Sequence, residues 1–196
     1  MLLADTDGVA AATAGVKQHV EPNRLPGAER PAALIGFGIF LGPFSFNARS
    51  EDFTTKPAFK DAWKRGQRCL VVTDGFYEWK KITVKEKQPW AIAMTDGMMI
   101  MAGLWSRWKD PKSGAEVLSC TVLTSAPNDV MAELHDRMPV ILLERDWPKW
   151  LGEEPATEKE LLTLLKPCPD DTLKIWPVGK AVGNVKNTGP QLATAI

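Results

Sequence analysis

The chain has 196 residues, of which 44% are hydrophobic and 24% are charged, values typical of one soluble globular domain. Its 24 Lys and Arg residues are balanced by 24 Asp and Glu residues, which excludes a uniformly basic surface that would coat duplex DNA. A local basic groove is compatible with this balance, because phosphate binding needs only a few well-placed cations. Eight Trp residues against one Tyr are unusual, and Trp suits both apolar cores and platforms on which bases stack.

The cysteines and histidines predict neither disulfides nor a metal site. Cys69 and Cys120 lie in apolar, strand-like segments, Cys168 is the third cysteine, and none has CxxC spacing, so buried free thiols are expected. With only His19 and His135 available, a zinc site is not expected. No apolar run of about twenty residues and no signal-peptide pattern is present, which predicts a cytoplasmic protein outside the membrane.

In chain order, residues 1–33 are rich in Ala, Gly and Pro without a sustained period, and we expect a poorly ordered or atypical segment. The first predicted strand is ALIGFGIF, residues 33–40. The segment TTKPAFKDAWKRG predicts a short helix that has Thr55 as its N-cap, Pro57 in its first turn and Gly66 as its stop. The apolar face of this helix consists of Phe59, Ala62 and Trp63.

The middle of the chain is rich in strand signals. Four apolar segments, RCLVV, QPWAIAM, MMIMAGLW and EVLSCTVLT, alternate with turn residues at 95–97 and 109–114. NDVMAEL predicts a helical turn that ends at His135, TEKELLTLLK a helix opened by a Thr157–Glu160 capping box, and TLKIWPV a last strand. The sequence therefore predicts an α+β fold over a single domain, residues 34–196, with a mostly antiparallel and barrel-like sheet.

Three polar clusters occur where apolar segments end. FNARSE contains Asn47 and Arg49 two positions apart, DGFYEW contains Glu78, and ELHDRMPVIL contains His135 and Arg137. Arginines in two of these clusters can bind a phosphate-bearing substrate, and the carboxyl and imidazole groups can transfer protons. The set includes no obvious nucleophile, and the only thiol pairing to consider is Cys69 with His135.

Glu78 stands between two large aromatic residues, Tyr77 and Trp79, which permits two interpretations. An apolar surrounding would disfavour the charged carboxylate and keep a proton on Glu78, as a general acid requires. Alternatively, the segment is an edge strand in which Glu78 faces solvent while Trp79 fills the core.

Four motifs, in order and at familiar spacings, carry a family resemblance. These are FNARSEDFTTKPAFKDAWKRGQRCLVVTDGFYEWKK, MAGLW, TVLTSAPNDVMAELHDRMPVIL and VGNVKNTGPQL. From about residue 35 onward the chain resembles the SRAP family, named after "SOS response-associated peptidase", whose members process abasic sites. The resemblance implies a bifurcated, mostly antiparallel sheet with a small barrel, surrounded by helices.

The resemblance also implies an activity and a partner. The protein would recognise abasic sites in single-stranded DNA and capture the sugar aldehyde covalently. It would do so as a monomer without cofactor or metal, in the cytoplasm and at the nucleoid when DNA is damaged. Residue by residue, it implies that Asn47 positions the sugar and that Glu78 and His135 transfer protons. Arg49, Thr124 and Arg137 match DNA-contacting positions of the family.

The printed sequence departs from the family at its beginning. Family members begin Met-Cys-Gly-Arg and use the exposed cysteine to close a thiazolidine, whereas this sequence begins MLLADTDGV and has no cysteine before Cys69. We therefore expect the α-amine to form at most a reversible imine, which favours strand cleavage over a stable crosslink. Two other functions are kept open: a single-stranded DNA-binding module without covalent chemistry, and a thiol peptidase that uses Cys69 and His135.

Overall fold

The computed structural model describes the backbone of residues 34–35 and residues 47–196, with the side chain of residue 117 excepted. Nine strands are described: β1 Leu34–Ile35, β2 Asn47–Arg49, β3 Arg68–Thr73, β4 Gly75–Lys81, β5 Lys87–Met94, β6 Met99–Lys109, β7 Glu116–Ser125, β8 Met138–Pro139 and β9 Leu173–Pro177. The α-helices are α1 Lys60–Lys64, α2 Asp129–Ala132, α3 Trp147–Leu151 and α4 Glu158–Thr163. Single 3₁₀ turns span Glu144–Asp146, Asp170–Thr172, Lys180–Gly183 and Pro190–Ala193.

The strands form two sheets. The larger has six strands in the order β1-β3-β6-β7-β2, with β8 paired to β7, and the smaller has the order β4-β5-β9. All pairings are antiparallel except β1 with β3 and β2 with β7. The predicted α+β, mostly antiparallel fold is confirmed, although pairings among the described strands close no barrel.

The larger sheet is forked where β6 and β7 separate. The two strands are paired as far as Gly103 and Val122. Beyond that point, the segment around Val140 lies between them, because Ala102 N–H donates to the Val140 carbonyl and Val140 N–H donates to the Leu123 carbonyl, each over 2.8 Å. The fork brings residues that follow α2 in the chain against the end of β7.

Three apolar clusters hold the elements together. The first fills the space between the two sheets and includes Phe76, Val122, Leu134 and Met138. The second covers the opposite face of the larger sheet with residues of α1, α3 and α4, and at its centre the fully buried Trp150 donates Nε1–H to the Cys69 carbonyl over 3.0 Å. The third packs the outer face of the smaller sheet against the C-terminal segment.

Most predicted elements are found at their expected places. The capping box of Thr157 and Glu160 is present at α4, and Asn128 caps α2 by accepting Met131 N–H over 2.9 Å. The strand predicted at residues 33–40 is described only for residues 34–35. The expected disorder of residues 1–33 falls outside the described residues and stays a prediction, as does the single-domain assignment.

The predicted start of the first helix was wrong. Helix α1 begins at Lys60 and has no side-chain N-cap bond, whereas Thr55 Oγ1 donates to the Asp52 carbonyl within a preceding series of turns. Short polar side chains readily make such local bonds, which compete with helix formation. The predicted stop is confirmed, since Gly66 has a φ of 66°, and so is the buried face with Ala62 and Trp63.

Candidate functional site

Arg49, Thr124 and Arg137, predicted to contact DNA, meet at the end of β7. Arg49 is paired with Thr124 in the register of β2 and β7. Arg137 Nη2 donates to the Thr124 carbonyl over 2.6 Å and lies 3.2 Å from Thr124 Oγ1. Arg49 is exposed, Arg137 is partly buried and Thr124 is buried, so Arg49 is the most accessible of the three.

Arg137 binds the carboxylate of Glu51, a residue that the sequence motifs did not point to. Its Nη1 and Nη2 donate to the two carboxyl oxygens of Glu51 over 2.7 and 2.8 Å, the paired geometry that makes Arg–carboxylate contacts strong. These hydrogen bonds hold the pKa of Glu51 below its ordinary value, against a smaller opposing effect of burial. The one signal in the sequence was a second charged residue in FNARSE, two positions after Arg49.

His135 is positioned by the end of α2 and by its own loop. Its backbone N–H donates to the Met131 carbonyl over 2.9 Å. Its Nδ1 accepts the backbone N–H of Arg137 over 3.1 Å and also lies 3.1 Å from Asp136 Oδ1. The Arg137 contact needs an unprotonated Nδ1 and therefore favours the tautomer with the proton on Nε2, whereas the Asp136 contact needs a protonated Nδ1.

Glu78 is buried, with 6% of its surface exposed, so the interpretation in which it faces solvent was wrong. The expectation that Tyr77 and Trp79 enclose its carboxyl was also wrong. Those two side chains point to the opposite face of β4, where they pack in the third cluster. Side chains alternate along a strand, so Glu78 shares its face with Phe76 and with Trp90, its partner on β5.

Asn47 lies on the side of the larger sheet that faces the first cluster. In a parallel pair, residues in register point to the same face, and Asn47 is in register with Val122 of that cluster. The next pair, Ala48 and Leu123, belongs to the second cluster on the opposite face, as alternation requires. Asn47 Oδ1 is buried and has no hydrogen-bond partner within residues 47–196.

The three predicted catalytic residues therefore border one apolar core. Phe76, which precedes Glu78 on its face, packs in the same cluster as Leu134, which precedes His135. The next residue on that face of β4, Lys80, reaches Glu133 at the end of α2, with Nζ 3.3 Å from Oε2. Packing and register thus place Glu78 and Asn47 on the faces of their sheets that meet the first cluster, to which Leu134 also contributes, while their chemical roles stay predictions.

Trp90 is a second residue that the sequence did not single out. Its indole Nε1–H is buried and lacks an acceptor among the described residues. A buried donor without a partner costs about 1–3 kcal/mol. Because Trp90 stands opposite Glu78, this donor belongs to the surroundings of the candidate carboxyl.

The thiols lack the features of nucleophiles. Cys69 is fully buried, and burial raises its pKa well above the ordinary range, which argues against its use by a peptidase. The part of the chain that the structure describes contains no cluster of His, Cys, Asp or Glu arranged to hold a metal ion. It also contains no helix of the length and apolar character needed to cross a membrane.

Fold and site together define an α+β protein in which a forked sheet gathers arginine, amide, carboxyl and imidazole groups beside one core. The model of a family described as "SOS response associated peptidase (SRAP)" matches residues 40–185. The chain therefore belongs to the SRAP family, which confirms the resemblance seen in its motifs.

Curated relatives and solved structures agree with this assignment. The chain is 35% identical over 153 residues to the abasic site processing protein YoqW of Bacillus subtilis, a match that covers 78% of this chain and 67% of that protein. It is 34% identical over 169 residues to the abasic site processing protein HMCES of Xenopus tropicalis, covering 76% of this chain and 50% of that protein. A crystal structure of a Bacteroides thetaiotaomicron protein superimposes with a TM-score of 0.70 at 26% identity, covering 76% of this chain and 65% of that one.

Proposed function

We propose that this protein binds abasic sites in single-stranded DNA and processes them by chemistry at the abasic sugar. The observation that carries the proposal is the meeting of Arg49 and Thr124 at the end of β7 with Arg137, which belongs to the loop that also holds His135. The names of the relatives YoqW and HMCES, which state that they process abasic sites, support the same substrate.

DNA binding is assigned to the two arginines. The exposed guanidinium of Arg49 would contact a backbone phosphate directly. Arg137 already donates to Glu51 and to the buried Thr124, so it has fewer N–H groups left to offer to a phosphate. Thr124 would act through its contact with Arg137 rather than with DNA.

Catalysis is assigned to Asn47, Glu78 and His135. An amine that attacks the C1′ aldehyde of the opened sugar first forms a carbinolamine, which needs an acid to lose water and become an imine. Glu78 on β4 and Nε2–H of His135 are the candidate proton donors, and the buried Asn47 Oδ1 is the candidate acceptor that orients the sugar or the amine. Removal of a C2′ proton from the imine would then break the C3′–O bond and release the phosphate, which is lyase chemistry.

A stable thiazolidine would require a thiol and an amine on adjacent carbons of one residue. Cys69, Cys120 and Cys168 cannot meet this requirement, because their amines are part of the peptide chain. An adduct that is made through an imine alone is expected to survive denaturation only after borohydride reduction.

The test uses a labelled single-stranded oligonucleotide with one abasic site, alongside the intact strand and the abasic duplex. Wild-type protein should bind the abasic single strand most tightly and should give a reducible adduct and strand cleavage. Glu78→Gln should keep the fold and lower the reaction rate by about a hundredfold, because it removes a proton donor with little change of volume. Glu116→Gln is the matched control, since Glu116 is exposed in the β6–β7 hairpin and pairs with Arg107.

Binding without adduct or cleavage would favour the single-stranded DNA-binding module over an enzyme. Equal binding of all three DNAs would contradict the proposed substrate. A heat-stable adduct without reduction would contradict the imine chemistry, because it would require a thiol at the reacting amine.

A further inference from the structure

The ion pair between Glu51 and Arg137 joins two segments that are 86 positions apart in the chain. Glu51 follows β2, the strand that carries Asn47 and Arg49, and Arg137 belongs to the loop that carries His135. No other side-chain hydrogen bond between these two segments is described.

Arg137 donates two further hydrogen bonds, one from its side chain and one from its backbone. Its Nη2 donates to the Thr124 carbonyl over 2.6 Å, and the same carbonyl accepts Ser50 N–H over 2.8 Å. Its backbone N–H donates to His135 Nδ1 over 3.1 Å. Glu51, Arg137 and His135 therefore form one bonded series that ends at the imidazole ring.

The strands beside this ion pair are short. Strand β2 has three residues and β8 has two, so few ladder hydrogen bonds set the position of either segment. The Arg137 side chain is 19% exposed and its buried Nε has no partner among the described residues, so Glu51 is its main source of charge compensation. Loss of that carboxylate would leave a poorly solvated cation, which favours movement of the Arg137 side chain.

We propose that Glu51 is a positioning residue for the abasic-site reaction: through Arg137 it favours the Nε2–H tautomer of His135 over the Nδ1–H tautomer, which Asp136 would stabilise. The proposal rests on the proposed function for its substrate. Glu51 itself does not touch the DNA, and its effect on the reaction passes through the Arg137 backbone N–H at His135 Nδ1.

Another role would fit the same contact. A carboxylate in the fork of an arginine resembles a phosphate, so Glu51 would compete with DNA for Arg137. The two roles differ in their consequences: loss of a positioning residue slows the reaction, whereas loss of a competitor tightens DNA binding.

The experiment compares Glu51→Gln with Asp52→Asn in the full chain. Asp52 is the next residue, its carboxylate pairs with Lys56, and its substitution removes the same charge without touching Arg137. Three quantities are measured: the single-turnover rate on abasic single-stranded DNA, the Kd for the same strand with an unreactive tetrahydrofuran at that position, and the tautomer of His135. The tautomer is read by long-range ¹H–¹⁵N NMR near pH 8, where an ordinary imidazole is neutral; the spectrum is simple, because the chain has two histidines.

Glu51→Gln should slow the reaction by about tenfold or more, since small displacements of a catalytic group are costly. Its Kd should stay the same or rise, because a displaced Arg137 gains no contact with the DNA, and the His135 signals should show a mixture of tautomers. Asp52→Asn should match wild type in all three measurements. Arg137→Lys keeps the charge without the paired geometry, and it should reproduce the tautomer mixture if Glu51→Gln folds poorly.

An unchanged rate, or tighter DNA binding with a single His135 tautomer, would overturn the proposal. If wild-type protein leaves abasic DNA unaltered, the proposed function fails. The tautomer comparison then decides by itself whether Glu51 holds His135, because it needs no substrate.

Discussion

Burial raises the pKa of all three thiols, most strongly that of Cys69. It raises the pKa of Cys120 from 9.0 to about 11 and raises the pKa of Cys69 still more strongly. The pKa of Cys168 is also raised, mainly by burial. A thiol that stays protonated is neither a good nucleophile nor a metal ligand. The groups proposed for proton transfer are instead the buried carboxyl of Glu78 and the imidazole of His135.

We predict that the thiols of the native protein react slowly with a disulfide reagent at pH 8. A pKa near 11 leaves about a hundredfold less thiolate than an ordinary cysteine has at that pH. Labelling should be complete within minutes in denaturant and very slow without it. Rapid labelling of Cys69 or Cys168 in the folded protein would contradict the burial described for these two residues.

The same shifts predict a loss of stability in alkali. The folded state binds thiol protons more tightly than the unfolded chain does. This contribution is therefore intact below pH 9.0 and is lost as the pH rises toward 11. The free energy of unfolding, measured by urea titration from pH 8 to 10, should fall, and replacing Cys120 with Ala should reduce the fall.

At the scale of single elements, Gly75 sets the pairing of β4 with β5. The Asp-Gly pair suggests a turn residue with a positive φ, yet Gly75 is the first residue of β4 and is not among the described glycines with positive φ. A Cβ at Gly75 would lie 2.3 Å from the Ile92 carbonyl oxygen, a backbone atom that cannot move aside without shifting β5. Glycine is required there because the two backbones approach closely.

Replacing Gly75 with Ala should destabilise the protein by about 3 kcal/mol and should also impair the reaction, because β4 carries Glu78. Gly97→Ala is the matched comparison. Gly97 has a φ of +69°, and a Cβ there meets no described atom within 4 Å. Only backbone strain of about 1 kcal/mol is then expected. Chemical denaturation measures the free energy of unfolding of both variants, and equal losses of stability would contradict the close approach at Gly75.

For the whole molecule, the zero formal charge means that the proposed DNA binding must depend on local rather than global electrostatics. Arg49 is the exposed cation at the candidate site, and it lies in register with the buried end of β7. We therefore expect the protein to bind DNA through few ionic contacts, so that its affinity for DNA falls only modestly as the salt concentration rises.

Arg49→Ala should therefore weaken binding to abasic single-stranded DNA and reduce the slope of log Kd against log salt by about 0.7, the value for one phosphate contact on a single strand. Arg145→Ala is the control, since its side chain is 79% exposed and contacts only the adjacent Asp146 in the described ion pairs. Fluorescence anisotropy at several salt concentrations measures both. Equal slopes for Arg49→Ala and wild type would remove Arg49 from the DNA interface.

Elements specified by short-range interactions were predictable from the sequence alone. The Thr157–Glu160 capping box, the Gly66 stop and the strand segments depend on bonds or periodicity within a few residues, so their signals are visible in the order of residues. The motifs around Asn47, Glu78 and His135 likewise indicated the family, which the comparisons confirm.

Tertiary structure decided how those residues face one another. The register of β2 on β7 turns Asn47 toward the first cluster, and strand alternation separates Glu78 from the aromatic residues beside it in the chain. Glu51 and Arg137 are 86 positions apart in the chain, and no local sequence pattern encodes a contact over that separation. The sequence determined which chemical groups the protein possesses, while the forked sheet determined which of them meet, because side-chain direction depends on pairing partners that are far away in the chain.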